Sequence, residues 1–176
     1  MRVIAGEMRG RKLSAPNGAG TRPTADRVRE ALFSMLGDVS GARVLDLYAG
    51  SGALAIEALS RGAAEAVLVD SSREAVETIN RNLSSLDLEA VVHRRDASSW
   101  FASGPVGNPY DLVFADPPYD SAVAAGPLLA ERLPPILCPE AVIVTESDKR
   151  APLELPFELL RERTYGDTRI AIHRHD

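Results

Sequence analysis

Asp116-Pro117-Pro118-Tyr119 directly follows the apolar run Leu112-Val113-Phe114-Ala115. An acid, two prolines and an aromatic at the end of a buried strand are suited to chemistry of one kind. Pro118 has no N–H, and Pro117 forces Asp116 into an extended conformation, so neither continues a strand or enters a helix interior. What remains is a stiff ledge offering a carboxylate, outward-facing backbone carbonyls and a flat ring. Those groups suit a planar ligand with an amino group, whose N–H bonds the oxygens accept. A Pro-Pro pair also turns a chain with no further role. Residues elsewhere have to separate the two readings.

Three more acids occupy comparable places. Asp46 lies in Val44-Leu45-Asp46-Leu47, Asp70 closes Ala66-Val67-Leu68-Val69, and Asp96 lies just beyond Ala90-Val91-Val92-His93. In an open parallel sheet, ligands bind beyond the carboxyl ends of the strands, so all four acids are expected along one edge. Gly50-Ser51-Gly52-Ala53-Leu54-Ala55 fits the glycine-rich nucleotide-binding turn, with alanine at the third small position. Gly50 is expected to permit the tight turn and Gly52 to let a ligand approach the backbone.

Asp46 stands where its charge would repel the pyrophosphate that a dinucleotide places at a helix N-terminus. A cationic ligand suits that acid instead, and S-adenosylmethionine has an ammonium, a sulfonium and no phosphate. Asp70 lies 18 residues after Gly52, near the offset at which an acid accepts ribose hydroxyls. Ser71, with Glu74 three residues on, is expected to cap the next helix and leave Asp70 free. Asp96 and the Ala97 backbone are placed to accept from an adenine amino group, although Asp-Ala-Ser-Ser is equally a helix start. The candidate cofactor residues are Asp46, Tyr48, Ala49, Gly50, Ser51, Gly52, Asp70, Ser71, Asp96, Ala97 and Asp116. The candidate catalytic residues are Asp116, Pro117, Pro118 and Tyr119.

These residues need strands to hold them in line. Val44–Leu47, Ala66–Asp70, Ala90–His93, Leu112–Ala115 and Ala141–Val144 read as five short buried strands. Helices between them are marked by apolar stripes such as Val76, Ile79, Leu83 and Leu86. Phe157–Arg163 and Arg169–His173 read as a closing antiparallel pair joined by Tyr165-Gly166-Asp167-Thr168. Strands alternating with helices imply an α/β fold, a seven-stranded, mostly parallel sheet with helices on both faces. Residues 2–14 read as a small β-hairpin appendage carrying Gly6 and Gly10. A Gly- and Pro-rich loop then leads to a helix, with Thr24 as a plausible cap and Gly37 as its stop. The division expected is a basic hairpin and linker over 1–22 and a catalytic domain over 23–176.

At 176 residues, 45% hydrophobic and 26% charged, the chain has the composition of one soluble globular domain. No run approaches the roughly 18 apolar residues of a membrane helix, and the first residues lack the apolar core of a signal peptide. The single cysteine, Cys138, excludes an internal disulfide, and a cytoplasmic location is the expectation. The net charge of -5 conceals an asymmetry: residues 1–29 hold seven Arg and Lys against Glu7 and Asp26. A basic arm on an acidic body fits contact with a polyanion, and it also fits a solvated arginine-rich surface.

RVIAGEMRGRKL at 2–13, TRPTADRVREALFSML at 21–36, VLDLYAGSGALAIEALSRGA at 44–63 and Asp116-Pro117-Pro118-Tyr119 together resemble the RsmD family. These are Rossmann-like class I S-adenosylmethionine-dependent methyltransferases. The resemblance implies transfer of a methyl group to the exocyclic N2 amine of one guanine in 16S ribosomal RNA, within the small ribosomal subunit or an assembly intermediate. A purine amine is a poor nucleophile because its lone pair is delocalised into the ring. If Asp116 and the Pro117 carbonyl accept both N–H bonds, the nitrogen pyramidalises and aims that lone pair at the methyl group, so that positioning does most of the work. Tyr119 is expected to stack on the unstacked base. For the arm the resemblance implies RNA contact by Arg2, Arg9, Arg11, Lys12 and Arg22, with Arg27 also placed to contribute. The expected state is a monomer.

His93, His173 and His175 show no ligand spacing, so no metal is expected. Trp100 and Phe101 read as packing residues. Two rivals share these features: a methyltransferase of DNA adenine-N6 or cytosine-N4 amines, and a nucleic-acid-binding protein with a vestigial cofactor fold.

Overall fold

The computed structural model describes residues 1–16, 26–104, 107 and 109–176, and only the backbone of 119–121. Helix α1 (Asp26–Leu36) is followed by β1 (Arg43–Leu47), α2 (Ala53–Ser60), β2 (Glu65–Asp70), α3 (Arg73–Leu86), β3 (Val91–Arg94) and α4 (Ala97–Ala102). The chain continues through β4 (Tyr110–Ala115), α5 (Tyr119–Arg132), a short 3-10 turn (Pro134–Ile136), β5 (Leu137–Asp148), β6 (Glu158–Tyr165) and β7 (Thr168–Arg174). Arg22 and Thr24 lie outside the described residues.

The strands form one sheet in the order β3-β2-β1-β4-β5-β7-β6. β1 pairs in parallel with β2 on one side and β4 on the other, so the chain reverses its direction of sheet growth between them. β7 alone runs antiparallel to its neighbours. Val44, Leu45 and Leu47 are all buried, because a central parallel strand is covered on both faces. One face packs against α1, α2 and α3 through Leu32, Phe33, Ile56, Ile79 and Leu83. The other packs against α4 and α5 through Trp100, Phe101, Ala125 and Leu129. Trp100 and Phe101 are thus core residues, in keeping with their reading as packing residues.

Element ends differ from the sequence reading in two places that matter later. β5 extends beyond the apolar run at 141–144 to Asp148, because Thr145 and Ser147 are buried polar residues that look like loop in the sequence. The cap of α3 is Ser72, whose Oγ accepts from Ala75 N, and not Ser71. Asp70 Oδ1 accepts from Ser72 N at 2.8 Å, which holds Ser72 in extended conformation and makes Arg73 the first helical residue.

The N-terminal hairpin is present as a single bridge between Arg2 and Lys12, supported by Val3 N donating to Arg11 O at 2.9 Å and Leu13 N to Met1 O at 3.0 Å. Its inward side chains, Val3 and Leu13, join the core formed with α1, α2 and α3. Burying each contributes about 1.5–3 kcal/mol. The arm is therefore docked on the body. Glu57 of α2 accepts from both Ile4 N (2.8 Å) and Ala5 N (3.0 Å), and Ser60 Oγ accepts from Met8 N at 2.9 Å. A side chain at Gly6 would run into the Ser60 carbonyl, 1.8 Å from its Cβ, so the approach requires glycine.

Candidate active site

The sheet order sets Asp96, Asp70, Asp46 and Asp116 at the carboxyl ends of four adjacent strands, β3, β2, β1 and β4. The turn leaving β1 curls over this edge. Tyr48 has φ 62, a left-handed conformation unusual for an aromatic, and Gly50 and Gly52 follow at φ 57 and 75. Ala49 N donates to Val69 O at 3.1 Å, Gly52 N to Ala49 O at 2.7 Å and Gly50 N to Asp70 Oδ2 at 2.8 Å. These bonds hold Ala49, Gly50 and Gly52 in place, and the Ser51 carbonyl between them is not among the groups they use.

Both glycines adopt the left-handed conformation of a tight turn, but their surroundings differ. A Cβ on Gly52 would stand 3.0 Å from Leu68 Cδ2 and 3.2 Å from Ile79 Cγ1. Gly52 is small because α2 packs tightly on the sheet and α3. A Cβ on Gly50 would meet only Tyr48 O, at 4.0 Å, so Gly50 is the glycine with space beside it for a ligand.

Each acid has its own environment. Asp46 is 2% exposed and its Oδ2 accepts from Ala55 N at 3.2 Å, in the first turn of α2. Burial pushes its carboxyl up to about 7, the Ala55 hydrogen bond opposes that shift, and the charge of Asp70 adds to it. Asp70 uses one oxygen for Gly50 N and the other for Ser72 N. Asp96 is exposed and caps α4, accepting from Ser99 N at 2.9 Å and Ser99 Oγ at 2.7 Å, bonds that hold its carboxyl low. Ala97 is buried as the first residue of that helix, and Ser71 is exposed. Burial raises the Tyr48 phenol, and the charge of Asp96 adds to the shift.

Asp116 is half-buried immediately beyond β4. Burial, followed by the charges of Glu146 and Asp46, holds its carboxyl well above the usual carboxylate range. Pro117 is buried, whereas Pro118 is exposed at φ -52 and ψ 144, just before Tyr119 opens α5. The Tyr119 ring lies outside the described side chains. Glu146 is a fifth acid at this edge: Ala115 pairs with Thr145, which sets Glu146 beside Asp116. The sequence reading missed it by ending the strand at Val144. Glu57 and Asn82 were also missed, although both tie the arm to the body. Their types and helical spacing carry no sign of partners some 50–70 residues away.

The basic candidates divide. Arg2 pairs with Asp26 at 3.4 Å, its carbonyl accepts from buried Arg29, and Arg11 donates to Ser85 O at 2.6 Å. Arg9, Lys12 and Arg27 are exposed and have no ion-pair partner among the described residues. Asp26 pairs with Arg2 and Arg29 rather than with Arg27. No group of three His, Cys, Asp or Glu among the described residues is arranged to hold a metal, and no described helix is long and apolar enough to cross a membrane.

Asp46 and Asp116, both raised first by desolvation and then by neighbouring carboxylates, form a site that favours a cation. The open flank of Gly50 and the acid at the end of β2 suit a nucleoside. This edge on this sheet defines a class I S-adenosylmethionine-dependent methyltransferase. A Streptococcus mutans protein assigned to the S-adenosylmethionine-dependent methyltransferases has a TM-score of 0.70 at 16% identity, over 85% of this chain and 48% of that chain, a likeness of fold alone. The family described as Conserved hypothetical protein 95 matches residues 1–174, and the chain belongs to it; this is the RsmD family. Ribosomal RNA small subunit methyltransferase D of Escherichia coli (strain K12) is 38% identical over 181 residues, covering 100% of this chain and 90% of the relative. The solved structure of the Escherichia coli protein yhhF, itself assigned to the methyltransferases, has a TM-score of 0.84 at 37% identity, covering 100% of this chain and 98% of that one.

Proposed function

We propose that the protein methylates the exocyclic N2 amine of a specific guanine in 16S ribosomal RNA, within the small ribosomal subunit or an assembly intermediate. The observation that carries this reading is the juxtaposition, on one chain, of the Asp116-Pro117 ledge with a docked basic arm. Relatives that are ribosomal RNA small subunit methyltransferases support ribosomal RNA as the substrate class.

When bound, S-adenosylmethionine supplies an electrophilic methyl group on its sulfonium. Asp46 and Asp70 hold the ammonium and ribose ends, the latter through lone pairs left over after Gly50 and Ser72 are bonded. Tyr48, Ala49, Gly50, Ser51 and Gly52 line the turn. Asp96, Ala97 and Ser71 complete the adenosine side, with Asp96 able to accept further bonds while it caps α4. Asp116 and the Pro117 carbonyl orient the target amine, and Asp116 receives the proton afterwards. Pro118 stiffens the ledge, and Tyr119 stacks on the base. Arg9, Lys12 and Arg27 neutralise phosphates, and Arg2, Arg11 and Arg22 add to the same surface. The protein works as a monomer in the cytoplasm.

The test is transfer of a labelled methyl group to protein-free 16S RNA, to small subunits and to duplex DNA, followed by mapping of the modified nucleotide. A single guanine labelled in RNA is expected. Labelling of DNA alone, or of no nucleic acid, would overturn the reading.

A further inference from the structure

Asn82 on α3 sits between the arm and the glycine turn. It is 2% exposed, and its Oδ1 accepts from Ser14 N at 2.8 Å. Its Nδ2 donates to Ser14 O at 3.0 Å and to Ser51 O at 2.9 Å. One planar amide thus bonds both backbone groups of Ser14, at the end of the arm's hairpin, and the Ser51 carbonyl in the turn. Both N–H donors of the side chain are used, so neither contact can shift without cost to the other. Ser51 also donates to Met1 Sδ at 3.8 Å, a second contact between turn and arm.

We propose that Asn82 is a positioning residue that couples the cofactor turn to the arm, so that binding at the turn and RNA binding by the arm are thermodynamically linked. The proposal rests on the reading of the arm as an RNA contact. A ligand seated against Gly50 fixes the Ser51 carbonyl, which fixes the Asn82 amide and hence Ser14. The arm is then held in its docked form with Arg9 and Lys12 presented. Linkage is reciprocal: the factor by which cofactor tightens RNA binding equals the factor by which RNA tightens cofactor binding.

Two measurements test it. The first compares the affinity of wild type and Asn82→Ala for 16S RNA with and without S-adenosylhomocysteine. Wild type is expected to show a gain of about 5-fold or more, the lower range of such couplings. Asn82→Ala is expected to bring the ratio close to one. A residue that only stabilised the fold would weaken binding and leave the ratio unchanged, so an unchanged ratio overturns the proposal. The second needs no RNA: amide hydrogen exchange over residues 2–14 in wild type should slow when S-adenosylhomocysteine is added. Unchanged exchange there overturns the coupling even if Asn82→Ala fails to fold. Failure of wild type to bind RNA would instead overturn the functional reading, and the exchange measurement would then decide the coupling alone.

Discussion

The carboxylate of Asp70 accepts the backbone N–H of Gly50 at 2.8 Å, so the acid ending one strand holds the turn that leaves its neighbour. Its other oxygen accepts from Ser72 N. An ionised carboxylate has about four lone-pair sites, so two of them remain for a ligand. The same residue can shape the site and still serve it.

The pH dependence of stability should carry the signature of Asp46. Its carboxyl moves from 3.8 in the unfolded chain to about 7 when folded. Between those values the folded state holds the extra proton, so this contribution is fully present below 3.8 and is lost as pH rises through 7. The total is on the order of 4 kcal/mol. In the ligand-free protein, Asp46→Asn keeps the acceptor for Ala55 and should gain stability relative to wild type from pH 4 to pH 8, measured by urea denaturation. A difference that does not vary with pH would contradict this.

Glu146 should set the acidic limb of the rate profile. If Asp116 orients the target amine as proposed, methyl transfer needs it ionised, and its raised pKa places that limb above the ordinary carboxylate range. Glu146→Gln removes one of the charges responsible, and the limb should move to lower pH in kcat measured against pH. Asp116→Asn should lower kcat by on the order of 10²-fold while calorimetry shows cofactor affinity changed by only a few-fold.

The two glycines of the turn should fail in different ways. Gly52→Ala combines left-handed strain with contacts to Leu68 and Ile79, and should cost about 2–4 kcal/mol of stability. Gly50→Ala meets open space and should cost only about 1–2 kcal/mol of backbone strain. Cofactor affinity should nevertheless drop at Gly50, where the added methyl group occupies ligand space. Thermal unfolding and calorimetry on both variants separate the effects, and equal stability losses would refute the assignment.

The arm's charges should be unequal. Alanine at Arg9, Lys12 or Arg27 should lower the slope of log affinity against log salt by about one each. Arg2 already faces Asp26, so its replacement should change the slope less. Titrations of 16S RNA over a range of salt concentrations would show the order, and a largest effect at Arg2 would reverse it.

Much of this site was legible because short buried strands advertise themselves. Val67, Leu68 and Val69 could only be strand, and Asp70 then had to stand at its end. Asp116 was placed by the same logic. What stayed hidden depended on contacts far apart in sequence. The packing of Gly52 against Leu68 and Ile79 cannot be seen in the local glycine pattern. Ser71 and Ser72 differ as caps only because Asp70 turns back onto Ser72. Glu146 was lost behind Thr145, whose burial no local pattern reveals, and Glu57 looks like any helix-surface glutamate until the arm lies on it.

Val3 and Leu13 share a core with α2 and α3, and that limits how the arm can be replaced. An arm exchanged as a cassette between relatives would leave Glu57, Ser60 and Asn82 behind. The newcomer would arrive with no seat for its amides and no match for its apolar pair. If the arm contacts RNA as proposed, substrate choice is inherited together with the helices that seat the arm, and a new specificity evolves in place rather than arriving by recombination.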